Sequence, residues 1–462
     1  MENRAFVANC DEGHTGMLAP GEGARAGVRF ARMVHRLQLT LGFFTHLLRD
    51  VVGTLAARLR RQWRRTVLGE DVLTVGVDIF PFFERMTGVG WYEWNLLANL
   101  TEVDPGIELN FYAHTFAAPG EPTPPALPTS RRARFRYHHI PTGFLLPVGG
   151  TLKVLRFLVE PALLFLDGND VFFAPNFFVP RRHLPAVRAL VATVHDVAFL
   201  RMPETVQRET LENLRRHLPG ALFSATALVA VSDATARDLG ELLALNARRV
   251  HVVHEGADES LARPADTPLP PLPARYLLFV STLEPRKNVV GLLRGFAAAA
   301  ARGYDGSLVL VGRWGWHTEA AQEELRGSPV ADRIIHLDYL ERSTLAGVMQ
   351  RAEALLMPSW LEGFGLPVLE AMSCGVPVIV SGRSSLPEVA GDAGLYVDPG
   401  DPGTIADAIL RLAASPALRQ QLADAGRSRA ALFSWRAAAC ATASVLRQAA
   451  GVGERFADAY RV

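Results

Sequence analysis

Short runs of β-branched and other apolar residues recur down this 462-residue chain, each followed by a stretch of helix length, and the series is interrupted once before it starts again. The first series begins near Val72 with "LTVGVDIF" and continues through "LVATVHDVAF" and "ALVAVS". The second runs through "RYLLFVSTLEPRKN", "GSLVLVGRWG", "ALLMPSWLEGFG" and "GVPVIVSG". Strands that alternate with helices pair in parallel, so each series predicts an α/β, doubly wound, Rossmann-like sheet. Between them lies "RPADTPLPPLP", from Arg263 to Pro273, too rich in proline to continue either element. The expected divisions are an extension over 1–70, a first domain over 71–262, a linker over 263–274, a second domain over 275–430 and a terminal helix over 431–462. Ligands of such sheets bind outside the carboxyl ends of the strands, which places a site in a cleft between two facing domains.

About half the chain is hydrophobic, enough to bury two cores, and the formal charge of +1 lacks the basic excess of a nucleic-acid binder. Cys10, Cys374 and Cys440 have neither disulfide nor zinc spacing, which fits a reducing cytoplasm. No apolar run is long enough to span a bilayer and no secretory signal opens the chain. Lys153 and Lys287 are the only lysines.

The extension differs from everything after it, with ten arginines between Arg25 and Arg65. Read as a helix, Arg25, Arg29, Arg32 and Arg36 share one face, and Phe30, Val34, Leu37, Leu41, Phe44 and Leu48 share another. A second arm can continue through Leu55, Leu59 and Trp63. Such a basic amphipathic helix suits an anionic membrane surface, reached through residues 25–65; equally, its apolar stripe can pack on the body or on a partner chain.

The richest stretch is "PSWLEGFGLPVLEAMSCGVPVIVS", Pro358 to Ser381. "ALLMPS" reads as a buried strand, Glu362 to Leu366 as a turn, and Pro367 as the opening of a helix that ends near Gly375. Free amides at that helix N-terminus favour an anion, most naturally phosphate, and Gly363 and Gly365 let the backbone approach it. Two acids beside a phosphate need other targets, and sugar hydroxyls are natural donors to carboxylates. Glu362 is thereby expected on a transferred group and Glu370 on a ribose, with Phe364 and Leu366 completing the turn. A solvated helix face is the bland alternative for such a pair.

Arg286 and Lys287, in the loop after "YLLFV", supply cations for a diphosphate, unless they are only a solvated basic loop. His195 and Asp196 end the strand "LVATV"; a histidine there serves either a site or a structural hydrogen bond. Gly88 and Gly90 in "RMTGVGWYEWN" read as a permissive turn that can admit an acceptor or the leaving diphosphate. "DGND", Asp167 to Asp170, reads as a polar turn, and no acid or histidine group has metal-ligand spacing, so neither metal nor cofactor is expected.

Together these residues resemble the retaining glycosyltransferases of family four, whose two-Rossmann-domain architecture is called GT-B. "EGFGLPVLE" is similar to that family's two-glutamate signature, and "STLEPRKN", "TVHDVAFLRMPE", "VSDATARDL", "LVLVGRWGW" and "SSLPEVAGDAGLYVDP" resemble further segments in the family's order. The resemblance runs from about Val72 to Ala449 and leaves out the basic extension. It implies transfer of a sugar from a nucleotide-diphosphate donor with retention of configuration, here read as a hexose. It also implies that Arg286 and Lys287 hold the diphosphate, Glu370 the ribose, Glu362 the sugar, and that His195 lies near the reacting carbon. "FSWRAAACATASVL" resembles the helix that crosses back to the first domain.

"TLEPRKN" with "HDVAFLRMPE" is most similar to bacterial mannosyltransferases of surface polysaccharide, which makes GDP-mannose the favoured donor and a saccharide or polyprenyl-linked oligosaccharide the acceptor. That acceptor would put the enzyme in the cytoplasm or on the inner face of the membrane. Trp314 departs from the family pattern, in which a polar residue is usual. A GT-B nucleotide-sugar epimerase and a non-catalytic scaffold at the membrane are the competing readings.

Overall fold

The computed structural model describes residues 48, 51–83, 86–115, 134–141, 161–176, 185–263 and 267–452. The arginine and apolar stripes read over 25–47, as well as Cys10 and Lys153, lie outside them.

Thirteen strands among the described residues form two sheets. The first holds β1 (Leu73–Asp78), β2 (Ile107–Thr115), β3 (Arg134–Pro141), β4 (Val171–Ala174), β5 (Ala189–Val194), β6 (Ala227–Ala230) and β7 (Val250–Val252), in the order β3-β2-β1-β4-β5-β6-β7. The second holds β8 (Tyr276–Val280), β9 (Ser307–Val311), β10 (Ile334–Leu337), β11 (Ala354–Met357), β12 (Val378–Ser381) and β13 (Gly394–Val397), in the order β10-β9-β8-β11-β12-β13. Every pairing in both is parallel. β1, β4, β5, β8, β11 and β12 are buried almost throughout, because helices cover both faces of a parallel sheet. In each sheet the strand order reverses beside the first strand, which opens a crevice at the carboxyl ends of β1 and β4 and of β8 and β11.

Residues 267–275 carry neither helix nor strand. The helix Trp435–Ala450 returns to the first sheet, packing on the helix Gly88–Val103 and on β4, β5 and β6. Its N-cap Ser434 accepts from the Ala437 amide, and Trp435 meets Tyr92 edge to face at 5.8 Å. Near its end Arg447, buried, donates to Asp104 at 2.6 and 3.0 Å and to Asp71 at 2.8 Å.

Residues 51–67 are helical and lie along the amino ends of the first sheet. The helix holds on by its arginines. Arg65 donates to the Val72 carbonyl and to Asp170 at 2.5 Å, Arg64 pairs with Glu70 and Glu108, Arg61 reaches the Asp167 carbonyl and Arg58 the Phe165 carbonyl at 3.0 Å. Of the alternatives for the apolar stripe, this removes packing on the body over 51–67: the polar side is turned inward, because carbonyls and carboxylates at the strand starts offer acceptors there.

Candidate active site

The turn Glu362–Gly365 follows β11 and delivers the chain into the helix Leu366–Ser373. Gly365 sits at φ +108°, the left-handed region that glycine enters without penalty, and Pro367 occupies the first helical turn. Gly363 is required for a different reason from the one its sequence suggested. A Cβ there would collide with the carbonyl of His195 in the other domain, so this glycine admits the opposing backbone. Ser232 Oγ donates to the Gly363 carbonyl at 2.6 Å, and Ser384 and Ser385 donate to that of Glu362, so both domains hold the turn.

Glu362 is buried and sits at the centre of the charges. Lys287 Nζ donates to both its carboxylate oxygens at 2.8 and 2.6 Å, Ser359 Oγ to one at 2.7 Å, and Arg286 lies 3.5 Å away. Burial alone would raise its pKa, but Lys287, Arg286 and the hydrogen bonds outweigh that and hold the carboxyl below its usual value. The basic loop is therefore no solvated surface feature, since Lys287 is buried. Asn288, at φ +56°, fixes it by capping the helix Val289–Ala301 and donating to the carbonyls of Pro358 and Pro399. Arg286 also meets Glu284 at 2.8 Å and, across the cleft, Asp196 at 3.7 Å. Burial opposes its charge, and these carboxylates together with Glu362 keep it more firmly protonated than usual.

Asp196 and His195 reach this group from the end of β5. Asp196 accepts from the Ala198 amide at 3.0 Å while it faces Arg286. The His195 ring is nearly buried, edge-on to Tyr92 at 4.7 Å, with Nε2 2.8 Å from the Pro175 carbonyl and Nδ1 3.7 Å from Glu255. A carbonyl only accepts, so Nε2 carries the hydrogen. The structural hydrogen bond and the position at the site thus occur in the same residue.

Glu370, also buried, accepts from Arg342 at 2.6 Å, and burial leaves its carboxyl above its usual value despite that partner. Arg342 bonds Asp258 at 2.9 Å and lies 5.0 Å over the ring of Trp91 in the first domain. Arg342, Asp258 and Glu255 were missed in the sequence. Arg342 and Glu255 follow β10 and β7 within a few residues, so their position past a strand's carboxyl end was the available signal.

Two expectations change. Gly88 and Gly90 make no separate turn: the helix begins at Gly88 after an extended Thr87, both lie in its first turn, and neither has a positive φ. Phe364 presents no ring to a ligand, because it packs with Phe433 and His254 at 5.8 and 5.9 Å. Leu366 begins the helix and packs on the core. Trp314 stands beside His336, its ring 5.2 Å away.

A second junction between the domains lies nearby. Glu388 accepts from the Asp233 and Ala234 amides at 2.8 and 2.6 Å, at the start of the helix Asp233–Leu243. With Asp233 and His254 it brings three ligand-type atoms within 4.8 Å of one another, the one such group among the described residues. Both Glu388 oxygens already accept from amides, which suits a clasp better than a metal site.

Residues 86–261 match the family model described as Glycosyltransferase Family 4, and residues 267–429 the model described as Glycosyl transferases group 1. The O-antigen chain mannosyltransferase B of Escherichia coli is 32% identical over 273 residues, which cover 57% of this chain and 71% of that protein. The serotype-specific mannosyltransferase WbdA of the same species is 26% identical over 423 residues; this chain aligns over 86% of its own length but spans only about half of WbdA, 49%. Among solved structures, sucrose-phosphate synthase from Thermosynechococcus elongatus superposes with a TM-score of 0.63 at 20% identity, over 81% of this chain and 98% of that one, a likeness of fold.

Proposed function

The chain belongs to glycosyltransferase family 4, has the GT-B fold and is a glycosyltransferase, and from that premise we propose that it transfers mannose from GDP-mannose, with retention, to a saccharide or polyprenyl-linked saccharide acceptor in surface polysaccharide synthesis. The observation that carries the reading is the convergence of Glu362, Lys287 and Arg286 from β11 and β8 with His195 and Asp196 from β5. The names of the similar mannosyltransferases support mannose as the sugar.

An incoming diphosphate would compete with Glu362 for Lys287 and Arg286, with the amides of the helix Leu366–Ser373 as further donors. Glu362 would then be released toward the sugar hydroxyls, and Glu370, oriented by Arg342, would accept from the ribose. In the transfer step the bond from the anomeric carbon to the phosphate oxygen breaks and the acceptor oxygen bonds to that carbon on the same face. The acceptor's proton passes to the departing phosphate. Lys287 and Arg286 stabilise the charge that grows on that phosphate, work a metal performs elsewhere. No helix among the described residues is long and apolar enough to cross a membrane, so a lipid-linked acceptor would be met at the membrane surface.

Calorimetric titration without metal, using GDP-mannose, UDP-glucose, UDP-N-acetylglucosamine and the free diphosphates, tests this. Selective binding of GDP-mannose is expected, with GDP released only when acceptor is added. Glu362→Gln should keep GDP binding and lose turnover by about 100-fold. Preference for a uridine donor would overturn the donor assignment, and GDP-mannose conversion without acceptor would overturn transfer.

A further inference from the structure

The helix over 51–67 grips the protein with its polar side and leaves its apolar side facing solvent. Leu48, Val52, Leu55, Leu59, Trp63 and Val67 are all exposed, Leu59 by 67% and Trp63 by 54%. At about 100° per residue these six fall within an arc of about 120°, opposite the anchoring Arg58, Arg61 and Arg65. Two more exposed aromatics, Phe165 and Phe223, precede β4 and β6, so they lie on the same amino-end side of the first sheet. Exposed Arg60, Arg188 and Arg248 belong to this side too: the first is on the helix, the others just precede β5 and β7. A cavity of about 490 Å³ between the helix and residues 185–188 is lined in part by Arg58, Arg65 and Arg188.

We propose that this face docks on the surface of an anionic lipid bilayer, with the Leu48–Val67 stripe in the acyl boundary and the exposed arginines at the headgroups. Charge decides between a bilayer and a second copy. Arg58, Arg61, Arg64 and Arg65 are held by the body, but exposed Arg60, Arg188 and Arg248 give this side outward cations, which an anionic surface attracts and a second copy of the same cations repels. Periodicity points the same way. The stripe takes five steps over nineteen residues, a mean of 3.8, wider than the 3.5 of a left-handed two-stranded coiled coil and close to that of a straight helix lying on a plane. The helix lies outside the residues that the family models match, which begin at 86. It also lies at the opposite ends of the strands from the cleft, which docking therefore leaves open.

A purpose for docking rests on the lipid-linked acceptor; the docking itself does not, and it is read without any sugar. The full chain is sedimented with vesicles of phosphatidylcholine alone or mixed with phosphatidylglycerol, while calorimetry follows GDP binding. Binding to the mixed vesicles, weakened by salt and weaker still on phosphatidylcholine, is expected. Leu59→Glu with Trp63→Glu should lower vesicle affinity by about tenfold or more and leave GDP affinity unchanged, since both side chains are at the surface. Arg188→Glu with Arg248→Glu should reduce binding to the mixed vesicles only. Unchanged vesicle binding in the Leu59/Trp63 variant, or its conversion by light scattering from dimer to monomer, overturns the proposal in favour of the preceding residues or of self-association. Equal binding to both vesicle types overturns the anionic assignment. Vesicle binding by a chain that binds no nucleotide would count against the transferase reading alone.

Discussion

Glu93 and Glu362 are both buried carboxyls, and their surroundings drive them in opposite directions. Glu362 has two cations and a hydroxyl; both oxygens of Glu93 lack any hydrogen-bond partner. Burial, with Asp78 adding to it, raises the Glu93 carboxyl well above its usual value. The folded chain therefore keeps a proton there that the unfolded chain releases, and stability falls as pH climbs from the ordinary glutamate value through the folded one. Glu255 and Glu370, also raised, act with the same sign. Glu362, whose carboxyl is lowered, contributes stability that is present above its ordinary value and lost as pH falls through the folded one. Glu93→Met, which fills the site without a polar group, should stabilise the fold by about 1–2 kcal/mol at neutral pH. Its gain should widen as pH rises above the ordinary glutamate value toward the raised one, read as melting temperature against pH. A constant offset would show that Glu93 does not titrate in the fold. In the sequence, Glu362 was legible because a glycine turn and a strand end surround it, whereas Glu93 looks like any other helix glutamate.

At the scale of elements, the strands were legible because apolar runs bounded by turns are local signals, and so was the helix opening at Pro367. Which side of a helix meets the body is not a local property. Hydropathy left open whether the apolar stripe of 51–67 packs on the body or faces outward; acceptors at the starts of β1, β2 and β4 claim the arginines and turn it outward. The terminal helix is held in a similar way. Arg447 is buried against Asp104, so Arg447→Met should leave that carboxylate unpaired and cost about 3 kcal/mol. Calorimetric unfolding checks this, and a double-mutant cycle with Asp104→Asn should return most of the loss. GDP affinity, which the proposed site assigns to the second sheet, should not move.

Across the whole molecule, the two sheets meet through the turn that carries Glu362. Gly363 rests against the His195 backbone, and neither chain can yield without parting the domains. Gly363→Ala should thus widen the cleft and lower turnover by about 10- to 100-fold while GDP still binds. Small-angle scattering should show a larger radius of gyration, and an unchanged radius with full activity would mean that the contact is not made in solution. The sequence by itself determined two doubly wound sheets, their order along the chain, and the placing of Glu362, Glu370, Arg286, Lys287 and His195 beside strand ends, because periodicity and turn chemistry act over a few residues. Only the tertiary structure decided that Glu362 sits on Lys287, that Gly363 serves the opposing domain, that Phe364 is packing and that the first helix faces outward. Each of those depends on which distant groups compete for the same charge, acceptor or space, and no local pattern records that competition.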